Sequence, residues 1–334
     1  MLPAAWGSTS SVPCTYGDRS GGPVADMTTS LRLPLAGPRG EPVDLARTLN
    51  SHGFADLAPS LLDEPSLTLS VTVRVTGARP RRIRIGPGSS RSAARVDVLG
   101  PAAGPRVRAA ALAGAAHVLR LDHDLSAFYE LIADDPDLAW ARRGAGRMLR
   151  SPTVFEDVVK TICTTNCAWR ATVRMVNALV SSLGEPAIGG DGPFTNAFPT
   201  PAAMAAAPES FYRDVVRAGY RSPYFSELAR RVDAGEADLE GLATSDGLRT
   251  DDDVERMLLE LPGIGPYAAA HVMMMLGRNS RLILDSWTRP KYTRLTGRSK
   301  PVPDAVIASR FRRYGEHAGL AFWLFLTRDW VKER

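Results

Sequence analysis

Apolar and polar residues alternate with a period of two through much of the first third of the chain. The runs are Ser30-Leu-Arg-Leu-Pro-Leu, Ser66-Leu-Thr-Leu-Ser-Val-Thr-Val-Arg-Val, Arg82-Arg-Ile-Arg-Ile and Ala94-Arg-Val-Asp-Val. Side chains alternate across a strand, so this pattern predicts strands with one buried face. Turn residues separate the runs, which predicts an antiparallel sheet. Asp44-Leu-Ala-Arg-Thr-Leu-Asn predicts a helix beside it. From about residue 105 the period becomes helical. Helices are predicted over Phe155–Thr165, Arg170–Leu183, Pro201–Ala206, Ser210–Ala218, Tyr224–Asp233, Asp252–Leu261, Pro266–Gly277, Thr288–Leu295 and Asp304–Tyr314. Gly184–Phe198 reads as a loop, and no internal repeat is visible. Strands first and helices after predict an α+β fold. We expect an antiparallel β-sheet domain over 28–115 and an all-α domain over 116–334. Residues 1–27, rich in Gly, Ser and Pro, are expected to be disordered, with Met27 as an alternative start.

Composition adds bounds rather than identity. A chain of 334 residues buries a sizeable core. No apolar run reaches the roughly 18 residues of a membrane span, and residues 1–27 lack the charged start and apolar core of a signal peptide. The expectation is a bacterial cytoplasmic protein. The formal charge is +5, a mild preference for polyanions. Residues 285–334 hold 11 Lys and Arg against 5 Asp and Glu, so the C-terminal stretch carries that excess. Cys14, Cys163 and Cys167 form no disulfide framework. Cys163 and Cys167 share a helical face but lack the further ligands a zinc site needs. Both read as buried thiols, and no metal is expected from them.

The candidate chemistry starts at Leu261-Pro-Gly-Ile-Gly-Pro-Tyr267. A helix over Asp251–Glu260 begins with acidic residues that suit its positive end. Gly263 and Gly265 permit backbone angles that other residues resist, and a close approach of another backbone. Pro266 fits the first turn of the next helix. The free N–H groups there would face outward and suit a phosphate. By itself, such a motif is equally an ordinary corner of a core. Eighteen residues after Tyr267 stands Asp285, in Leu-Ile-Leu-Asp-Ser-Trp.

This hairpin, with an Asp at that distance, resembles the helix-hairpin-helix DNA glycosylases, including the 3-methyladenine and 8-oxoguanine enzymes of base excision repair. Thr161-Ile-Cys-Thr-Thr-Asn166, Ala218-Gly-Tyr-Arg-Ser-Pro-Tyr224 and Tyr314-Gly-Glu-His-Ala-Gly-Leu-Ala-Phe-Trp323 resemble further segments of the 8-oxoguanine enzymes, in the same order. The resemblance covers about 120–330 well and 28–120 weakly. It implies a partner, double-stranded DNA holding a damaged or modified base, and a monomeric enzyme that flips that base into a pocket.

The resemblance also implies roles. Asp285 becomes the catalytic carboxylate, which stabilises positive charge on the sugar and orients a water. Read without the hairpin, Asp285 is a helix N-cap. Gly263, Ile264 and Gly265 grip a phosphate, and the hairpin carbonyls become a candidate site for K⁺ or Na⁺, which such carbonyls hold in relatives. Asn166 fills the void left by the flipped base, with Tyr220 and Arg221 beside the orphan base. Arg289, Lys291 and Arg294 add charge toward DNA or serve as solvated surface. Bifunctional relatives use a Lys where Tyr267 stands, and a phenol forms no Schiff base. A monofunctional enzyme is therefore expected. Where 8-oxoguanine enzymes have a recognition Gln and a His, this chain has Phe322 and Trp287. With Trp323 and Tyr267 they are the expected base pocket, and aromatic walls suit a cationic alkylated purine. His271 reads as core or pocket wall. Ala171 replaces an Arg that contacts the orphan base. Some relatives carry a four-cysteine iron–sulfur loop. No Cys follows Cys167, so no cluster is expected. Release of 8-oxoguanine or another modified base, and non-catalytic DNA binding, stand as alternatives.

Overall fold

The computed structural model describes residues 28–243 and 249–331. The segment expected to be disordered, and Cys14 within it, lie outside the described residues. Five strands, β1 (Thr29–Pro34), β2 (Leu61–Asp63), β3 (Thr68–Val75), β4 (Ala78–Pro87) and β5 (Ala93–Val98), form one sheet in the order β1-β5-β4-β3-β2. Every pairing is antiparallel, with Val71 opposite Ile83 and Ile85 opposite Val96. These β-branched residues are fully buried. The strands follow the predicted runs closely. β2 had no prediction, because three residues are too short to show an alternation.

The helices are α1 (Leu45–Leu49), α2 (Pro105–Val118), α3 (Ser126–Leu131), α4 (Val154–Thr164), α5 (Trp169–Leu183), α6 (Pro201–Ala205), α7 (Glu209–Asp214), α8 (Ser222–Asp233), α9 (Asp251–Leu259), α10 (Pro266–Met275), α11 (Thr288–Leu295), α12 (Asp304–Phe311) and α13 (Ala318–Thr327). α2 covers the sheet through Ala111, Ala115 and Val118. A Cβ on Gly114 would stand 2.8 Å from Val73, so that glycine sets the approach of α2 to β3. The helix predicted over Ser210–Ala218 ends at Asp214, because Arg217 and Gly219 take left-handed angles of 56° and 61°. The helix predicted over Asp304–Tyr314 stops at Phe311. Gly315, at φ 56°, then breaks the chain before α13.

Three apolar cores result. One lies under the sheet, one among α4, α5, α8, α9 and α10, and one among α3, α12, α13 and their neighbours. Buried charges join the sheet segment to the helices. Lys160 on α4 is fully buried, 2.6 Å from Glu156 Oε1, and donates to Leu57 O. Arg147, also fully buried, reaches Glu41 at 2.8 Å and donates to Arg120 O. Such pairs fix one arrangement of the elements, since either partner alone would be a buried, uncompensated charge.

Candidate active site

The hairpin is built by its flanking caps. Thr250 and Asp253 form a reciprocal capping box at the start of α9, satisfying N–H groups that a helix start leaves free. The acidic run has a second role that sequence reading missed. Asp251 holds Arg278 at 2.9 Å, and Glu255 holds Arg281 at 2.8 Å. The first turns of α9 therefore fix the segment returning from α10 towards Asp285. At the turn, Gly263 has φ 79°, and a Cβ there would press on the Tyr224 ring at 2.8 Å. Ile264 is buried and anchors the hairpin in the core. Gly265 and Pro266 are exposed, and a Cβ on Gly265 would meet nothing within 4 Å. The outer rim is thus free for a backbone to approach. The Pro262, Gly263 and Ile264 carbonyls accept no hydrogen bond from described residues. Oxygen donors of that kind fit a monovalent cation.

Asp285 stands half-buried at the start of α11. Its Oδ1 accepts from Trp287 N at 2.8 Å and Thr288 N at 2.7 Å, and its own N–H donates to Thr288 Oγ1. The cap reading is therefore correct for one carboxylate oxygen. Oδ2 makes no hydrogen bond to the described residues. Tyr267, in the first turn of α10, has its phenol pushed up to about 12, mainly by burial and partly by the charge of Asp285. Its hydroxyl lies 3.5 Å from Thr164 Oγ1, and its ring stacks on His271. Burial lowers His271 to about 3, so this imidazole is neutral.

A second group gathers where α4 ends. Asn166 takes a left-handed φ of 45°, is exposed, and donates from Nδ2 to Tyr220 Oη at 3.3 Å. Tyr220 is 54% exposed. Arg221 differs from expectation. Its guanidinium is buried, 4.4 Å from the Tyr220 ring centre, with Nε donating to Thr165 Oγ1 at 3.0 Å. It joins the Tyr220 loop to the Asn166 turn instead of standing out for a base edge.

A cleft of about 1860 Å³ is lined by residues that follow Asn166 and Asp285 in the chain. Ser286 and Trp287 line it directly after Asp285, with Trp169 from α5, His52, Asp56 and Trp330. Of the expected pocket residues only Trp287 lines it; Tyr267, Phe322 and Trp323 do not, and neither does Asp285. Phe322 has no exposed surface and packs on Phe311 and Tyr292. Trp323 is buried behind Trp287 and donates from Nε1 to Ser51 O at 2.8 Å. Nine of the ten residues of α13 are buried, so its sequence carried no period to show which side faces the cleft.

No family model matches the chain. A probable N-glycosylase/DNA lyase of Methanothermobacter thermautotrophicus is 28% identical over 225 residues, 60% of this chain and 69% of that protein. Among solved structures, a 3-methyladenine DNA-glycosylase from Archaeoglobus fulgidus matches with a TM-score of 0.68 at 20% identity, over 90% of this chain and 99% of that one. An 8-oxoguanine glycosylase/lyase of Clostridium acetobutylicum, in complex with double-stranded DNA, matches with a TM-score of 0.57 at 19% identity, over 78% of this chain and 88% of that one. The relatives and solved structures that the chain resembles are DNA glycosylases of the helix-hairpin-helix type.

The expected residues divide. Asn166 and Tyr220 meet, and the charge of Asp285 reaches the Tyr267 phenol. The basic residues after Asp285 are largely engaged. Arg289 binds both oxygens of Asp304, at 2.7 and 2.9 Å, and Lys291 is held 2.6 Å from Asp329. Arg294 is exposed at the rim of the cleft. Cys163 is buried, whereas Cys167 is only half-buried and donates to Cys163 O. His52, Asp56, Trp169 and Trp330 had no signal in the sequence. Tertiary packing alone brings the loop after α1 against α11 and the end of the chain.

Proposed function

We propose that this protein is a monofunctional DNA glycosylase that flips a base from duplex DNA and releases it by hydrolysis, acting on alkylated purines. Asp285 carries the proposal. One oxygen is locked by two backbone N–H groups, so the carboxylate is oriented. The other makes no hydrogen bond to the described residues, and the two residues that follow, Ser286 and Trp287, line an aromatic cleft. As the C1′–N bond breaks, its electron pair leaves with the base and positive charge grows on the sugar. A fixed carboxylate stabilises that charge without reorganisation. Water then adds to C1′ and loses a proton to solvent. An alkylated purine already carries positive charge, so it departs neutral and needs no acid.

Trp287 at the cleft supports that substrate, because an indole face attracts a cation. Lack of a lyase step is supported by the lysines. Tyr267 occupies the position of the family nucleophile. Lys160 is sealed beside Glu156, and Lys291 is ion-paired with Asp329. The archaeal relative's name includes a lyase, which makes lyase action the second reading.

The test is base release from duplexes holding N-methylpurines, 8-oxoguanine, uracil or modified cytosines, with Asp285→Asn alongside. We expect the methylpurine to be released and the mutant to lose at least about 100-fold. Borohydride should trap no enzyme–DNA adduct; a trapped adduct would establish the lyase reading. Intact duplex binding without release of any base would leave a DNA-binding protein.

A further inference from the structure

The cleft is larger than a flipped purine requires. Its volume of about 1860 Å³ exceeds the roughly 300–1,000 Å³ of ordinary small-ligand pockets. Its lining is also unusual for this chain. Of six tryptophans in the sequence, Trp140, Trp169, Trp287 and Trp330 all line it. They arrive from four separate places. Trp287 follows Asp285 by two residues, and Trp169 opens α5 three residues after Asn166. Trp330 lies past α13 with its ring 5.4 Å from that of Trp287. Trp140 lies beneath the Arg47 guanidinium at 4.2 Å. Leu62 of β2 and Leu67, just before β3, also line the cleft. A single base has two faces and occupies two such rings. Four indoles and two leucines give the cleft more apolar lining than one base needs, and that lining includes Trp287, two residues after Asp285.

Resting on the glycosylase reading above, we propose that the substrate is a purine bearing a large hydrophobic N-alkyl group, such as an arylmethyl substituent. The purine stacks at Trp287 and Trp169, and the substituent extends towards Trp330, Trp140 and the leucine wall. The chemistry is unchanged. The C1′–N bond breaks, its electron pair neutralises the cationic ring, and water supplies hydroxide to C1′ and a proton to solvent. Trp330, remote from the sugar, is then a specificity-determining residue.

The test is single-turnover release from matched duplexes holding N7-benzylguanine or N7-methylguanine. The wild type should release the benzyl base at least as fast as the methyl base. Trp330→Ala should lower benzyl release roughly tenfold more than methyl release, the scale of losing one stacked ring. Trp330→Phe, which keeps a ring and protects against loss of folding, should restore most of that ratio. Methyl release without benzyl release would overturn the inference and leave the glycosylase reading standing. An unchanged benzyl-to-methyl ratio in Trp330→Ala would also overturn it. Release of neither base, with duplex binding intact, would overturn both.

Discussion

In the proposed mechanism the two oxygens of Asp285 have separate tasks, one as a helix cap and one toward the sugar. Oδ1 satisfies the N–H groups of Trp287 and Thr288 at the start of α11, which holds the side chain in one rotamer. A carboxylate that must stabilise a transient charge gains from such fixing. In the same proposal Tyr267 contributes shape rather than proton transfer. With its phenol pushed up to about 12, it stays neutral through the working range of pH. Tyr267→Phe should therefore keep base release within about threefold and leave its pH profile unshifted. A shifted profile would show that the hydroxyl takes part. At the second group, Tyr220 is exposed and braced by Asn166 and Arg221. Tyr220→Ala should lower release roughly tenfold with an unchanged melting temperature, on the scale of one lost stacking contact. A parallel loss of both would assign Tyr220 to the fold. Sequence singled out Asp285, Asn166 and Tyr220 as candidates because each sits in a short motif with its own spacing. It did not show that Phe322, Trp323 and Arg221 are buried. An apolar helix buried on every side gives no facing, and an arginine gives no hint of whether its guanidinium stands out or turns inward.

The hairpin shows how two glycines of one motif differ in role. Gly263 has φ 79° and a ring against its missing Cβ, whereas Gly265 has φ −106° and open space. Gly263→Ala should destabilise the fold by at least about 1 kcal/mol, through left-handed strain added to the clash with Tyr224. Gly265→Ala should leave the melting temperature nearly unchanged and weaken duplex binding, since its methyl would project where a DNA backbone must approach. Thermal unfolding and duplex titration of both variants separate the two effects. If Gly265→Ala bound duplex as wild type, the hairpin rim would not be the contact. Elements of this kind were legible from sequence because capping residues and glycines mark their ends. β2 and the early end of α7 were not. One is a three-residue edge held only by its neighbour β3, and the other is set by left-handed angles at Arg217, a residue whose type gives no such signal.

The whole molecule is organised by burial of polar groups at the junction of sheet and helices, and this gives it a pH dependence. All five histidines of the chain are pushed down by burial. His52 and His117 fall to about 4, His123 and His271 to about 3, and His317 falls as well. In the unfolded chain they titrate near 6.5. A depressed folded value means stability that is present above 6.5 and is lost as pH falls towards the folded value. Buried carboxylates act in the opposite sense. Asp56 is raised to about 6 and Asp157 to about 7, and Glu156 is raised too, so their cost is relieved on acidification. Five groups outweigh three between pH 6.5 and 4, so the protein should be less stable at pH 5 than at pH 7.5. His271 is the clearest single contributor, lying among Tyr267, His52 and Phe54 with Nδ1 unpartnered. His271→Phe should therefore narrow the gap between urea midpoints measured at the two pH values. Equal midpoints in the wild type would mean that the carboxylates balance the histidines. An unchanged gap in His271→Phe would mean that its neutral, buried imidazole is not a source of acid sensitivity.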